Sequence, residues 1–258
     1  MQPPHPSVEI RNGLVYKQGE PIALEMETLK TRLAAAIGES SGLFLVPRLM
    51  FLDPVGGTMA TEFIPELKDL RQTALENPAE ALGIYRKAGS ALATVHRELH
   101  LPPDMLRPLP DYLMSKADDN VVLHGDFFWG NVCCLPTQRR IVLLDWAAAP
   151  LLGGIANYGS RYFDLLWFSW SLFFWTPPRR ILCFKPERLV TALISGYAET
   201  ESRFQWQRYV QYRSSVRPLL LSYWRSKQQV VPSSPVHSCA QLLGWLRWLL
   251  FPRPARAK

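Results

Sequence analysis

Apolar and polar positions alternate in short runs at the start of the chain and settle into helical spacing further on. "VEIRNGLVYKQG", Val8 to Gly19, carries two β-prone runs around Asn12-Gly13, a dipeptide that accepts the positive φ angles of a tight turn, and so predicts a β-hairpin. In "PIALEMETLKTRLAAAIG" Leu24, Leu29 and Leu33 fall roughly on one face of a 3.6-residue period, with Pro21 near the start and Gly38 near the end, which predicts a helix. Glu25 and Glu27 lie in its first turn. Two strands follow, Phe44 to Leu52 and Met59 to Ile64, joined by a turn containing Pro54, Gly56 and Gly57. From Asn77 to His100 the residues Ala81, Leu82, Tyr85, Ala88, Leu92 and Val95 recur at helical spacing with no internal Pro. After Leu123 come two short strands, "NVCCL" and "RIVLLDW", and from Phe163 onward the chain is mostly helical and Trp-rich. The composition shift near Pro65 divides it into a small lobe, residues 1–64, and a large lobe, residues 65–258.

The most apolar run, "LLWFSWSLFFW" from Leu165 to Trp175, falls short of the roughly 20 residues that span a bilayer, so it reads as a buried helix. With 48% hydrophobic residues and nine Trp in 258 residues, the chain can bury a substantial core. Its net charge of +7 favours anionic partners, but basic residues are spread along the chain without a compact stripe, which argues against nucleic acid. Cys133, Cys134, Cys183 and Cys239 form no CxxC pair, and "MQPPHPSVEIRNG" lacks the features of a signal peptide. A reducing cytoplasm is the expected location.

Inside an apolar stretch, "VVLHGDFFWGNVCCL" sets His124, Gly125, Asp126 and Asn131 in the pattern HGDxxxxN, and Asp145 follows at the end of the second β-prone run. A carboxylate at the end of a short strand can orient a substrate hydroxyl and accept its proton. An amide oxygen and a second carboxylate can hold Mg²⁺ against nucleotide phosphates, because Mg²⁺ prefers hard oxygen ligands.

The segment resembles the catalytic loop and metal-binding strand of the aminoglycoside phosphotransferase and choline kinase-like family, relatives of the protein kinases, whose loop reads HGD followed by N with an (I/L)DW strand after it. "LHGDFFWGN" and "LLDW" match that pattern. The resemblance implies an α/β (α+β), two-lobed protein-kinase-like fold, with a small, mostly β N-lobe containing one helix and a larger, mainly helical C-lobe. It implies ATP and Mg²⁺ as cofactors and a small-molecule hydroxyl as acceptor of the γ-phosphoryl group. Asp126 would be the catalytic base, with Asn131 and Asp145 as metal ligands. Lys17, ending "LVYK", sits where the family places its phosphate-contacting lysine, and Glu25 matches the acid that pairs with it; Glu27 is the alternative, since helix rotation is open. Glu62, Phe63 and Ile64, in "TEFIPE", fall where the interlobe hinge meets adenine. "LATVH", ending in His96, and "YFDLLWF", with Asp164, match family helices around the catalytic loop.

The family has a first strand and a phosphate-covering loop before its lysine strand, whereas sixteen residues with a single Gly, Gly13, precede Lys17. A shortened front to the small lobe is therefore expected. It supports a second reading, a weak or inactive pseudokinase acting as an interaction or membrane-proximal module. His124 and His96 are expected to lock the loop by hydrogen bonding, Asp164 to cap its helix or brace the loop backbone, and Cys133 and Cys134 to be unreactive strand residues. The tail "CAQLLGWLRWLLFPRPARAK", with Arg253, Arg256 and Lys258, reads as the last helix of the large lobe, with an interfacial membrane helix and a lipid-linked substrate as the alternative.

Overall fold

A computed structural model of the chain describes residues 7–175, 178–180, 184–230 and 235–251. β1 (Ser7–Arg11) and β2 (Leu14–Gln18) pair antiparallel across Asn12 and Gly13, whose φ angles of 52° and 72° are the left-handed values these residues adopt most cheaply. α1 (Pro21–Ser41) and β3 (Phe44–Leu45) follow, and β4 (Leu49–Asp53) with β5 (Thr58–Glu62) complete a sheet of order β1-β2-β5-β4. The strand predicted over Phe44–Leu52 is therefore two. Pro47 lies between them and has no N–H to give a ladder, so pairing stops there and the chain changes sheets.

A second four-stranded sheet has the order β3-β9-β8-β6. It joins β3 to β6 (Lys68–Asp69), β8 (Val132–Leu135) and β9 (Arg140–Leu143), so a strand from residues 1–64 is built into a sheet otherwise made of residues beyond 65. α2 (Leu70–Glu76), which the apolar spacing does not predict, is started by a capping box. The Asp69 carboxylate accepts from the Gln72 N–H and the Gln72 side chain accepts from the Asp69 N–H. β7 (Asn120–Val122) and β10 (Tyr158–Ser160) form a separate pair just ahead of the His124–Asn131 segment.

Helices make up the rest: α3 (Pro78–Glu98), α4 (Tyr162–Phe174), α5 (Pro186–Thr200), α6 (Trp206–Val230) and α7 (Pro235–Leu250). α3 and α5 meet backbone to backbone. A methyl added at Gly89 would overlap the Leu193 carbonyl oxygen, and one at Gly196 would overlap that of Arg86. α4, the apolar run of the sequence, is buried along its whole length. Its Ser169 hydroxyl accepts from Tyr209 and from the Trp248 indole at 3.1 Å each, which locks α6 and α7 onto it. α7 is thus the packed last helix of the large lobe. Among the described residues no helix is long and apolar enough to cross a membrane. Cys183, Arg253, Arg256 and Lys258 lie outside the described residues.

Candidate active site

Asn131 and Asp145 are fourteen positions apart in the chain and neighbours in space because β8 and β9 form a hairpin. Val132 pairs with Leu143, and one step beyond the ladder the Leu144 N–H donates to the Asn131 carbonyl at 2.9 Å. Asp145 comes next, at φ 52°, a left-handed conformation that costs a residue with a Cβ roughly 1–2 kcal/mol. Its Oδ1 accepts from the Lys17 ammonium at 2.7 Å.

Asp126 stands between two donors. Its Oδ1 accepts from the Trp167 indole N–H at 2.8 Å and its Oδ2 from Asn131 Nδ2 at 3.1 Å. Asn131 Nδ2 also donates to the Asp126 carbonyl, which fixes the amide and leaves its oxygen as a free acceptor. Burial pushes the Asp126 carboxyl up to about 7, and the Asp145 charge adds to this against the two hydrogen bonds.

The turn ahead of Asp126 is gripped from two sides. From α4, Asp164 accepts the His124 and Gly125 N–H groups at 2.8 and 3.0 Å. It is in turn held by His96 Nε2 at 2.9 Å, whose Nδ1 meets the Tyr197 hydroxyl. Asp164 is therefore a brace of the loop backbone inside the first turn of its helix. Burial works against its ionised form, but the His96 hydrogen bond and the backbone donors win and hold it below the usual carboxylate range. From α1, Lys30 donates to the His124 carbonyl at 2.7 Å, with the residue 1% exposed. Burial lowers the Lys30 ammonium to about 8, against the pull of Asp164, Glu27, Asp145 and Asp126. Gly125 sits at φ 92°, a left-handed conformation that glycine adopts freely, and a Cβ added there would come within 3.2 Å of the Ala148 Cα. His124 does not lock the loop through its ring, as expected from sequence. Both ring nitrogens are without a hydrogen-bond partner, the imidazole packs on Trp146 at 4.5 Å, and burial pushes it down to about 4.

Lys17 reaches the site from β2 and is held by Glu27, at 2.8 Å. This corrects the assignment of Glu25, which is exposed on the outer side of α1 while Glu27 is 4% exposed. Burial raises Glu27 to about 7 despite Lys17, and burial likewise opposes Asp145, but there the Lys17 ammonium prevails and holds the carboxyl low. These groups close one end of a cleft of about 410 Å³, within the size range of small-ligand sites. Val8, Ile10 and Val15 line one wall and Leu143 and Trp146 another, with Glu62, Phe63 and Ile64 along the connection between the two sheets. The Glu62 and Phe63 N–H groups are already used, by the carbonyls of Arg48 and Gly13, and the Glu62 carboxylate turns to Arg48 at 2.6 Å.

Lys30 and Trp167 touch the site, and the sequence did not single them out. Neither carries a distinguishing signal, since Lys30 sits in a mixed polar helix and Trp167 in an unbroken apolar run. Cys133, on the strand beside Asn131, has its thiol pushed up to about 12 by burial, which disfavours the thiolate. Among the described residues no group of three or more His, Cys, Asp or Glu is placed to hold a metal, so an ion here would draw on Asn131, Asp145 and oxygens from outside the protein.

No protein-family model matches the chain, and no curated protein matches it in sequence. Solved structures match in fold. A choline/ethanolamine kinase family protein from Mesorhizobium loti is 15% identical with a TM-score of 0.52, covering 94% of this chain and 83% of that one. Choline kinase LicA from Streptococcus pneumoniae is 13% identical with a TM-score of 0.51, covering 95% and 89%. Amicoumacin kinase hAmiN, solved with AMP-PNP, Ca²⁺ and Ami, is 10% identical with a TM-score of 0.55, covering 96% and 89%. At such identities the likeness speaks to architecture. The chain therefore shares its two-lobed α/β fold with these solved kinase structures.

Proposed function

We propose that this chain is an ATP- and Mg²⁺-dependent phosphotransferase that moves a γ-phosphoryl group to a hydroxyl of a small molecule such as a sugar, an amino alcohol or a lipid headgroup. The observation that carries this is the convergence of Lys17, Asn131 and Asp145 in the lining of a largely apolar cleft, with Asp126 hydrogen-bonded to Asn131 just behind it. The free Asn131 oxygen and the Asp145 carboxylate fit an ion that takes hard oxygen ligands. Mg²⁺, when bound, would supply neutralisation of phosphate charge. A kinase of the same fold solved with AMP-PNP and Ca²⁺ supports nucleotide and divalent-ion binding as properties of the architecture.

On this reading Asp126 orients the acceptor hydroxyl and takes its proton, with Trp167 and Asn131 fixing the plane of its carboxylate. Lys17, steadied by Glu27, meets the α and β phosphates. Glu62, Phe63 and Ile64 run beside the adenine. Positioning and charge complementarity supply the acceleration, with no covalent intermediate on the protein.

The test is a thermal-shift titration with ATP and MgCl₂, run beside Asp145→Ala. A ligand that binds only the folded state adds about 3 kcal/mol at a hundredfold excess over Kd. A metal-dependent shift that vanishes in the variant is the expected result. No shift at millimolar nucleotide would overturn the reading and leave the pseudokinase or interaction module in its place.

A further inference from the structure

α7 is apolar on both of its faces. Ala240, Gly244, Trp245 and Trp248 are buried against α4 and α6, as the last helix of a lobe requires. On the opposite side Val236, Leu242, Leu243, Leu246 and Leu250 are 38 to 65% exposed. Leu243, Leu246 and Leu250 recur three and four positions apart, and at about 100° per residue Val236 and Leu242 fall within the same third of the helix circumference, so the five form one stripe along the outer surface. The only charged residue of the helix, Arg247, turns aside to Glu187 at 2.6 Å. A water-facing helix surface normally carries charge, and a continuous outward row of large aliphatic residues marks an interaction surface.

The distribution of charge says what kind of surface covers it. Lys and Arg are spread along the chain, but their excess is not. Residues 204–258 hold nine of the 29 Lys and Arg and none of the 22 Asp and Glu, whereas residues 1–203 are slightly acidic, with 20 basic against 22 acidic residues. Three of the nine, Arg253, Arg256 and Lys258, directly follow α7 in sequence. Trp224 stacks on Trp245 at 6.3 Å, which brings the end of α6, with Arg225 and the exposed Lys227, alongside the helix. A second copy of the chain docking symmetrically would set two acid-free basic segments against each other. Nucleic acid would satisfy the cations but offers nothing to a row of leucines. An apolar stripe flanked by cations matches an anionic bilayer surface, which takes aliphatic side chains at the acyl boundary and Lys and Arg at the headgroups.

We propose that the outer face of α7, with the basic end of α6, is a peripheral docking surface for anionic lipid membranes. It anchors the large lobe without crossing the bilayer, and it stands independently of the phosphoryl-transfer reading.

The test is flotation of the full chain with vesicles of phosphatidylcholine alone and of phosphatidylcholine with about one-third phosphatidylglycerol. The protein is expected to float with the anionic vesicles and to stay in solution with the neutral ones. Leu243→Ser combined with Leu246→Ser should lower the partition coefficient at least about tenfold while leaving the thermal midpoint unchanged, because both side chains face outward. Arg225→Gln with Lys227→Gln should lower it severalfold on anionic vesicles, which keeps the test decisive should the serine variant misfold. Failure to float with anionic vesicles, equal flotation with neutral ones, or full binding by the serine variant would each overturn the proposal. So would lipid-free dimerisation that the serine changes abolish, since that would assign the face to a second copy.

Discussion

Glu25 and Glu27 are chemically identical, and about 200° of helical rotation separates them. One faces water; the other is buried against Lys17. Sequence supplies the pair but not the rotation, because the inward face of α1 carries Glu27 and Lys30 beside Leu24, so leucine spacing alone does not mark it. Glu27→Gln is expected to weaken ATP affinity about tenfold in a binding titration, whereas Glu25→Gln should leave it within twofold. The motif HGDxxxxN was legible because several polar residues inside an apolar stretch have no structural reason to be there. Trp167 was not, since one more Trp among apolar neighbours carries no mark of its indole N–H reaching Asp126. The elevated Asp126 carboxyl has a pH signature. Folded, it keeps its proton to about pH 7, and unfolded only to about pH 4, so the folded chain binds the extra proton between those values and its contribution to stability falls as pH rises through them. Asp126→Asn removes that loss. The variant's advantage in chemical denaturation should grow from about pH 4 to about pH 7 and then level off, while the proposed transfer, which on that reading uses the ionised Asp126, should rise with pH through the same upper limit.

At the scale of elements, spacing located α1, α3 and α4 but could not show what each one touches. Of the leucines that announced α1, Leu24 is buried but Leu29 and Leu33 are only half-buried; the other buried positions include Glu27, Thr28, Lys30 and Thr31, because this face meets the polar end of the cleft. The break at Pro47 and the short α2 escaped for a different reason: two- and seven-residue elements offer too few positions for a period to register. The α3–α5 seam was equally hidden, since a glycine inside a helix reads as a weakness. Here it permits contact between backbones. Gly89→Ala should raise intrinsic helix propensity by about 1 kcal/mol and yet destabilise the protein by about 2 kcal/mol or more, because the methyl overlaps the Leu193 carbonyl. Urea denaturation decides this, and a stabilised variant would show that the helices part without cost.

For the whole molecule, cohesion crosses the division that composition draws at residue 65. β3 is laddered to β9, and Lys30 of α1 reaches the His124–Gly125 turn. Lys30→Met leaves the His124 carbonyl unpaired and four nearby carboxylates less compensated, so a loss of about 2 kcal/mol or more is expected in denaturant unfolding, together with faster amide exchange at His124 and Gly125. Unchanged exchange there would show that the turn does not depend on α1. The 2.7 Å contact between Lys17 and Asp145 has a further consequence for the proposed chemistry. The resting cleft already holds a cation against the carboxylate that a divalent ion would need. Loading is then an ion exchange in which the free energy gained is a difference between two pairings. A divalent ion alone finds this place largely taken, and the exchange runs forward when nucleotide phosphates receive the displaced ammonium, which makes the two ligands of the cleft each other's best promoters.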